Sequence, residues 1–391
     1  MRQGSLFTFD INELNESVQG TLIPKEQIGE NPAYLTEQLI TYIGNKRLLL
    51  DLIGQGLAIV KNRINQKKII IADLFSGSGV VSRYCKQHAS KLITNDLEDY
   101  CKVINKCYLS NSTNRSCTEI NKAYNWITHE LSKELKRGFI SDLYSPADEN
   151  NIVPSDRVFY TNRNAKFLDT ARMLIGEMPS HLQFFFLAPL LSEASIHANT
   201  SGVFKGFYKS KDGIGQYGGA GRNALSRIMK DIKICKPIFS RFDCDVDIHQ
   251  CDANALAKEL KRIDVTYLDP PYNQHPYGSN YFMLNLLTNY QRPNKISKIS
   301  GIPIEWNRSQ YNAKKEAGNS LFNLISECDS KFFLISYNSE GFIDYETFKS
   351  TLNKIGTLTI LETPYNAFRG SRNLANRSIH VTEFLYLLEK R

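Results

Sequence analysis

The stretch KKIIIADLFSGSGVVSRYCKQHASKLITND, residues 67–96, constrains the fold more than any other part of the chain. Ile69, Ile70 and Ile71 are β-branched, stiff at χ1 and well suited to extended backbone; an apolar run without polar alternation fits a strand buried on both faces. The glycines of SGSG then turn the chain, VVSRYCKQHAS reads as a helix and KLITNDLEDYC as a second strand that leads into another helix. Strand, glycine turn, helix and strand form a βαβ unit, which requires a parallel pair and a right-handed crossover.

Strand-like runs return late in the chain at DVDIHQCD, IDVTYLDPPY, KFFLISYN, TLTILETP and TEFLYLLEK. From about 111 to 244 the pattern is different: longer helical or irregular segments rich in Asn, Lys and Gly, with five glycines among the nine residues of GIGQYGGAG. The expected class is therefore α/β, a Rossmann-like core with a mainly parallel twisted sheet, opened by an inserted, largely helical domain. The expected boundaries are an N-terminal arm at 1–33, a core made of 34–110 and 245–391, and the insertion at 111–244. A helical apolar period in LTEQLITYIGNKRLLLDLIGQGLAIVKNRI is interrupted around Gly44.

Composition narrows the class. A chain of 391 residues with 42% hydrophobic content can bury a substantial core, and it has no apolar run of 18 residues and no signal-like apolar segment at its N-terminus. A cytoplasmic protein without membrane or metal partners is expected. Its eight cysteines contain no CxxC pair, which favours reduced thiols over a zinc site. Net charge is +8, and Thr200–Arg241 holds nine basic residues against two acidic ones, with Phe204, Phe207, Tyr208 and Tyr217 interleaved. Such a window suits a polyanion with stackable bases, and by charge alone a solvated basic face equally well.

Two motifs carry the chemistry. DLFSGSG puts Asp73, Phe75, Ser76, Gly77 and Gly79 at the end of the first core strand, where glycine permits close approach of backbone to a ligand. A dinucleotide loop would need a third glycine where Ser82 stands, so pyrophosphate binding is disfavoured. Asp96 ends the second strand, where a carboxylate can accept from both hydroxyls of a ribose or can cap the next helix. A ligand with an adenosine-like sugar and no pyrophosphate is described well by S-adenosylmethionine.

The second motif is Asp269, Pro270, Pro271 and Tyr272, which ends the IDVTYL run. The prolines stop the strand and stiffen the corner. Asp269 and the Pro270 carbonyl form a pair of acceptors that could hold both hydrogens of an aromatic amino group and favour a pyramidal nitrogen able to attack a methyl; Tyr272 offers a face for a base.

With these motifs together, the chain resembles the S-adenosylmethionine-dependent DNA adenine-N6 methyltransferases of restriction-modification type, over nearly all of 35–391. The resemblance rests on YIGNKRLLL, DLFSGSG, the ND of Asp96, HQCDANAL, DPPYNQHPYGSNYFMLNLL, LISYNSEGF and YNAFRGSRNL. It implies a methyltransferase core with a target-recognition insertion. Tyr42, Gly44, Asn45 and Lys46 would lie over the methionine end of the cofactor, and Asp252 by its adenine amino group. NTSGVFKGFYKS is similar to a segment leading into DNA-reading elements. Phe204, Lys205, Tyr208, Lys209 and Arg222, with Arg369 and Arg372 near the C-terminus, are therefore expected on double-stranded DNA, and Ser336, Tyr337 and Asn338 beside the base pocket.

The implied reaction moves a methyl from S-adenosylmethionine to the N6 amino group of a flipped adenine, with no metal and no covalent intermediate. The family usually protects host DNA, which implies a cognate restriction endonuclease acting independently. Cytosine N4, an RNA base and a protein glutamine remain rival acceptors on the same fold, and a silent nucleic-acid binder a rival of another class.

Overall fold

A computed structural model describes residues 29–37, 39–366 and 380–391. Among the described residues no helix is long and apolar enough to cross a membrane. The core is a seven-stranded sheet: β1 (Ile69–Asp73), β2 (Ala89–Asn95), β3 (Asp245–His249), β4 (Ile263–Leu268), β5 (Ser330–Asn338), β6 (Gly356–Asn366) and β7 (His380–Lys390). Their order is β3-β2-β1-β4-β5-β7-β6; the first five run parallel, and β7 is antiparallel to both neighbours. All seven strand-like runs in the sequence are strands. The sheet is α/β and mainly parallel, as expected.

Alternation of side chains accounts for the layers. On β5, Phe332 and Leu334 join the core under the helix Leu50–Ile64, while Phe333 and Ile335 join the core under the helices Lys314–Glu327 and Tyr345–Ile355. On β7, Leu385 and Leu387 face the first layer and Tyr386 and Leu388 the second. Every position of β4 is buried. Its one acid, Asp264, accepts from the Ile70 amide at 2.9 Å and pairs with Lys331 at 3.4 Å, so the buried carboxylate is satisfied across the sheet.

Two local expectations shift. The helix after the glycine turn stops at Lys86 rather than Ser90, because Ala89 already pairs with Ile69 in the sheet. The interrupted helix near Gly44 is two helices, Pro32–Thr36 and Leu50–Ile64, with Gly44 in a turn at φ +77° between them.

Residues 111–244 hold five helices, Asn114–Leu131, Phe139–Tyr144, Asn162–Glu177, Ser180–Ile196 and Leu225–Met229, and the rest, more than half, is irregular, so the range is less helical than expected. Thr113 and Thr161 cap two of them with their side-chain oxygens. The apolar faces of the first four of these helices share one core with Tyr34 and Ile40, with Tyr100 and Ile104, and with Tyr281 and Phe282 from just beyond the DPPY corner. The inserted residues are thus packed directly onto the elements that frame the site.

Candidate active site at the carboxyl ends of the strands

Strand order reverses direction between β1 and β4. From β1 the chain adds β2 and β3 outward on one side; β4 and β5 extend the other. At such a switch point the loops after neighbouring strands part and leave a crevice beyond their carboxyl ends. Here the crevice is a cleft open to solvent, lined by residues that follow β1, β2, β3 and β4 and by the 42–46 turn.

The β1 end supplies Asp73, Phe75, Ser76 and Gly77. Gly77 has φ +51°, and a Cβ there would lie 2.8 Å from the Tyr42 ring, so glycine is required for both conformation and space. Gly79 has φ +75° and opens the helix Val80–Lys86. It packs on Asn105 below the cleft and is outside the lining. Asp73 is fully buried; Oδ2 accepts from Ser82 Oγ at 2.5 Å, while Oδ1 has no hydrogen-bond partner among the described residues. Burial pushes its pKa up to about 7, against the lowering effect of that hydroxyl.

After β2, Asp96 takes two backbone amides, Gly77 N at 2.8 Å and Glu98 N at 3.0 Å. It therefore clamps the glycine turn against its own loop. The following helix, Asp99–Tyr108, has Glu98 at its N-cap position, so the capping alternative for Asp96 is not realised. Asp252, after β3, lines the cleft and also caps the helix Ala253–Glu259 through Ala255 N at 3.0 Å. Tyr42, Gly44, Asn45 and Lys46 form the facing wall.

Asp269 and Pro271 line the cleft; Pro270 is buried behind them, and the Tyr272 hydroxyl lies 3.6 Å from where a Gly44 Cβ would stand. Asp269 meets Lys46 Nζ at 3.3 Å, and the same ammonium lies 3.5 Å from Glu383 Oε2 and 5.5 Å from the Tyr272 ring centroid. Burial raises the Asp269 pKa to about 6; Lys46 lowers it and Glu383 raises it. Lys46 stays charged, since its acidic neighbours, Asp269 foremost, outweigh its desolvation.

Glu383 was not legible as a site residue: it lies in the last strand, in VTEFLYLLEK, and only the pairing of β7 with β5 brings it over the corner. Glu98 was missed as well. It lines the cleft and accepts from Asn285 and Asn307, and burial pushes its pKa up to about 7. Asn307, Ser309, Tyr311 and Asn312, from the chain after the DPPY helices, complete the lining; Tyr311 meets Phe75 edge to face at 4.9 Å.

Residues 42–351 match the family model of the D12 class N6 adenine-specific DNA methyltransferases. The chain belongs to that family. The methyltransferase is similar to the Type II methyltransferase M.NlaIII of Neisseria lactamica, 28% identical over 359 residues that cover 90% of this chain and 99% of the relative. It is similar likewise to the Type II methyltransferase M.CviAII of Paramecium bursaria Chlorella virus 1, 26% identical with 90% and 99% covered. The Type II methyltransferase M.FokI of Planomicrobium okeanokoites is 25% identical over 89% of this chain, which spans 52% of that larger relative. The family match supports DNA as substrate and adenine N6 as acceptor, over the cytosine, RNA and protein alternatives.

The residues expected on DNA divide. Lys205, Lys209 and Arg222 are exposed and Tyr208 is half-buried. Phe204 must be corrected: it is 1% exposed and packs against Phe159 and Phe282, so its ring anchors the segment from inside and cannot reach a duplex. Ser336, Tyr337 and Asn338 are buried at the end of β5 outside the cleft lining; Tyr337 supports the Tyr272 ring edge to face at 5.7 Å. Arg369 and Arg372 lie outside the described residues, as does the arm up to residue 28. Among the described residues no group of three or more His, Cys, Asp or Glu could hold a metal.

Proposed function

We propose that this methyltransferase moves the methyl group of S-adenosylmethionine to N6 of an adenine turned out of double-stranded DNA, as the protective partner of a restriction endonuclease that acts independently. The observation that carries the reading is the meeting at one switch point of the Asp96–Gly77 clamp and the Asp269 corner.

The lining fits the cofactor by charge and by shape. Five carboxylates, Asp73, Asp96, Glu98, Asp252 and Asp269, face the cleft with Lys46 as their single cationic counterpart in the lining. That surplus is complementary to a ligand bearing a sulfonium and an ammonium. When bound, S-adenosylmethionine supplies a methyl made electrophilic by the positive sulfur. Asp96 would accept from the ribose hydroxyls, Asp252 would face the adenine edge, and the 42–46 turn with Asp73 would hold the amino-acid end. Tyr42 closes this end by lying on the bare Gly77 backbone.

Chemistry at the acceptor falls to the corner. Asp269 gives one oxygen to Lys46 and leaves the other for an N6 hydrogen; the Pro270 carbonyl takes the second hydrogen. As the transferred methyl takes its place on N6, one N6 proton would pass to the free Asp269 oxygen and then to solvent. Tyr272, braced by Tyr337, stacks on the extruded base. The similarity to Type II methyltransferases supports the restriction-modification setting.

The test is direct. The protein is incubated with methyl-labelled S-adenosylmethionine and, in parallel, mixed genomic DNA, total RNA or a protein extract, beside Asp269→Ala, and the DNA is digested to nucleosides. Label on deoxyadenosine that disappears in the variant is the expected result. Label on deoxycytidine, or DNA left unlabelled while RNA or protein is labelled, overturns it. No label on any acceptor while the cofactor binds would favour a binding protein without activity.

A further inference from the structure

We propose that residues 295–304 form a second DNA-gripping element, in which Lys295 and Lys298 lie on backbone phosphates and Ile299 enters a groove of the duplex beside the target base. The proposal rests on the reading above, and no motif in the sequence pointed to it.

The segment is a small hairpin. Ile296 and Pro303 form an antiparallel bridge, Ser297 N donates to Ile302 O at 2.7 Å, Ile304 N to Lys295 O at 3.2 Å, and Gly301 N closes the tip on Ser297 O at 3.0 Å. Gly301 has φ +71°, and a Cβ there would meet both Tyr144 and Arg157 at 2.7 Å. Tyr144 OH donates to Gly301 O at 2.8 Å and Arg157 to Lys298 O at 3.2 Å. One side of the hairpin is thus fixed to the inserted helices, and the other is left outward.

What faces outward is unusual for a solvated loop. Ile299 is 71% and Ile304 59% exposed, two of five large hydrophobics so exposed among the described residues. Lys295, across the hairpin from Ile304, and Lys298, next to Ile299, are also exposed and make no ion pair among the described residues. Residues 291–309 carry four basic side chains and one acidic. An exposed isoleucine at the hairpin tip, next to one unpaired lysine and with a second at the base, matches the pattern of proteins that insert a wedge into a groove while gripping phosphates.

Position ties the hairpin to the chemistry. Its outgoing strand runs into Asn307, which lines the cleft and packs on Gly278 of the helix turn Tyr277–Asn280. The other end of that turn accepts Phe204 N at 2.7 Å through Asn280 O, so the basic 199–217 segment roots on the same four residues. The two segments also share residues 157–159: Arg157 holds the hairpin, while Val158 packs on Gly215 and Phe159 on Phe207. Both elements therefore frame the loop after Asp269, where an extruded base has to pass.

The experiment uses the full chain, a fluorescent DNA duplex that the wild type methylates, and two variants, Lys295→Ala with Lys298→Ala, and Ile299→Ser. The double variant is expected to weaken duplex binding about tenfold near physiological salt and to lower the slope of log K against log salt by about 1.8, the loss of two phosphate contacts. Ile299→Ser is expected to lower kcat/KM on the duplex about fivefold or more, with single-stranded DNA methylated as before, since an unpaired base needs no wedge. Cofactor affinity and Tm should stay at wild-type values, because all three side chains are exposed. Wild-type affinity, slope and kcat/KM in both variants overturn the proposal, as does an equal loss on single strands. A wild type that leaves no label on deoxyadenosine overturns instead the reading on which it rests.

Discussion

Lys46 holds Asp269 by an ammonium it shares: Nζ lies 3.3 Å from Asp269 Oδ1 and 3.5 Å from Glu383 Oε2, in surroundings that leave lysine and glutamate each 4% exposed. Two carboxylates with one cation leave a net negative charge beside the acceptor, so each neighbour tunes how readily Asp269 ionises. Burial and Glu383 raise the Asp269 pKa to about 6, with Lys46 opposing. Asp73 and Tyr267 belong to the same charged neighbourhood. In the proposed reaction the ionised carboxylate is the competent acceptor, so kcat should fall as pH drops through about 6. Glu383→Gln removes a negative neighbour and should move that limb to lower pH; Lys46→Met removes the cation and should move it to higher pH. Single-turnover rates between pH 5 and 8 measure both, and an unmoved limb in both variants would show that the groups act only structurally.

Asp269→Asn keeps the size of the side chain but exchanges an acceptor for a donor. Loss of one preorganised contact of this kind typically lowers turnover by about 10²–10³. The fall should appear in kcat, with cofactor affinity nearly unchanged, measured by titration calorimetry beside steady-state rates.

Asp96→Ala removes the acceptor of two backbone amides together with the proposed ribose contact. An about tenfold or greater rise in KM for the cofactor is expected, equivalent to about 1.4 kcal/mol. DNA affinity measured without cofactor should not change.

Asp73 bears on stability. Its folded pKa, about 7, lies above the ordinary aspartate value of 3.8, so protonation favours the fold: the contribution is fully present below pH 3.8 and is lost as pH rises through 7. In the absence of ligand, Asp73→Asn should therefore be more stable than wild type at pH 8 and lose most of that advantage by pH 5. Thermal unfolding at the two pH values decides it; an equal difference at both would contradict the assignment.

Lys205→Ala with Lys209→Ala should weaken DNA binding and lower its salt slope by about 1.8 without changing Tm. Phe204→Ala should act in the opposite manner. It empties a buried aromatic position and should cost about 3–5 kcal/mol of stability, visible in denaturant unfolding before any effect on the salt slope.

The sequence by itself determined the sheet and which residues stand at its corners. Consecutive isoleucines at 69–71, the glycines at 77 and 79 and the prolines at 270 and 271 act through local backbone preference, and such preferences are legible without neighbours. Asp73, Asp96 and Asp269 were legible for the same reason, each closing a strand in a recognisable motif. Tertiary structure alone decided which groups surround them. Glu383 reaches Lys46 because an antiparallel strand 337 residues away closes over the corner, and Asn307 reaches the cleft because a hairpin is fixed by Tyr144 and Arg157. Phe204 shows the converse: an aromatic among lysines suits a DNA surface until packing turns it inward. Burial and charge balance are sums over residues distant in the chain, and only the folded molecule performs that sum.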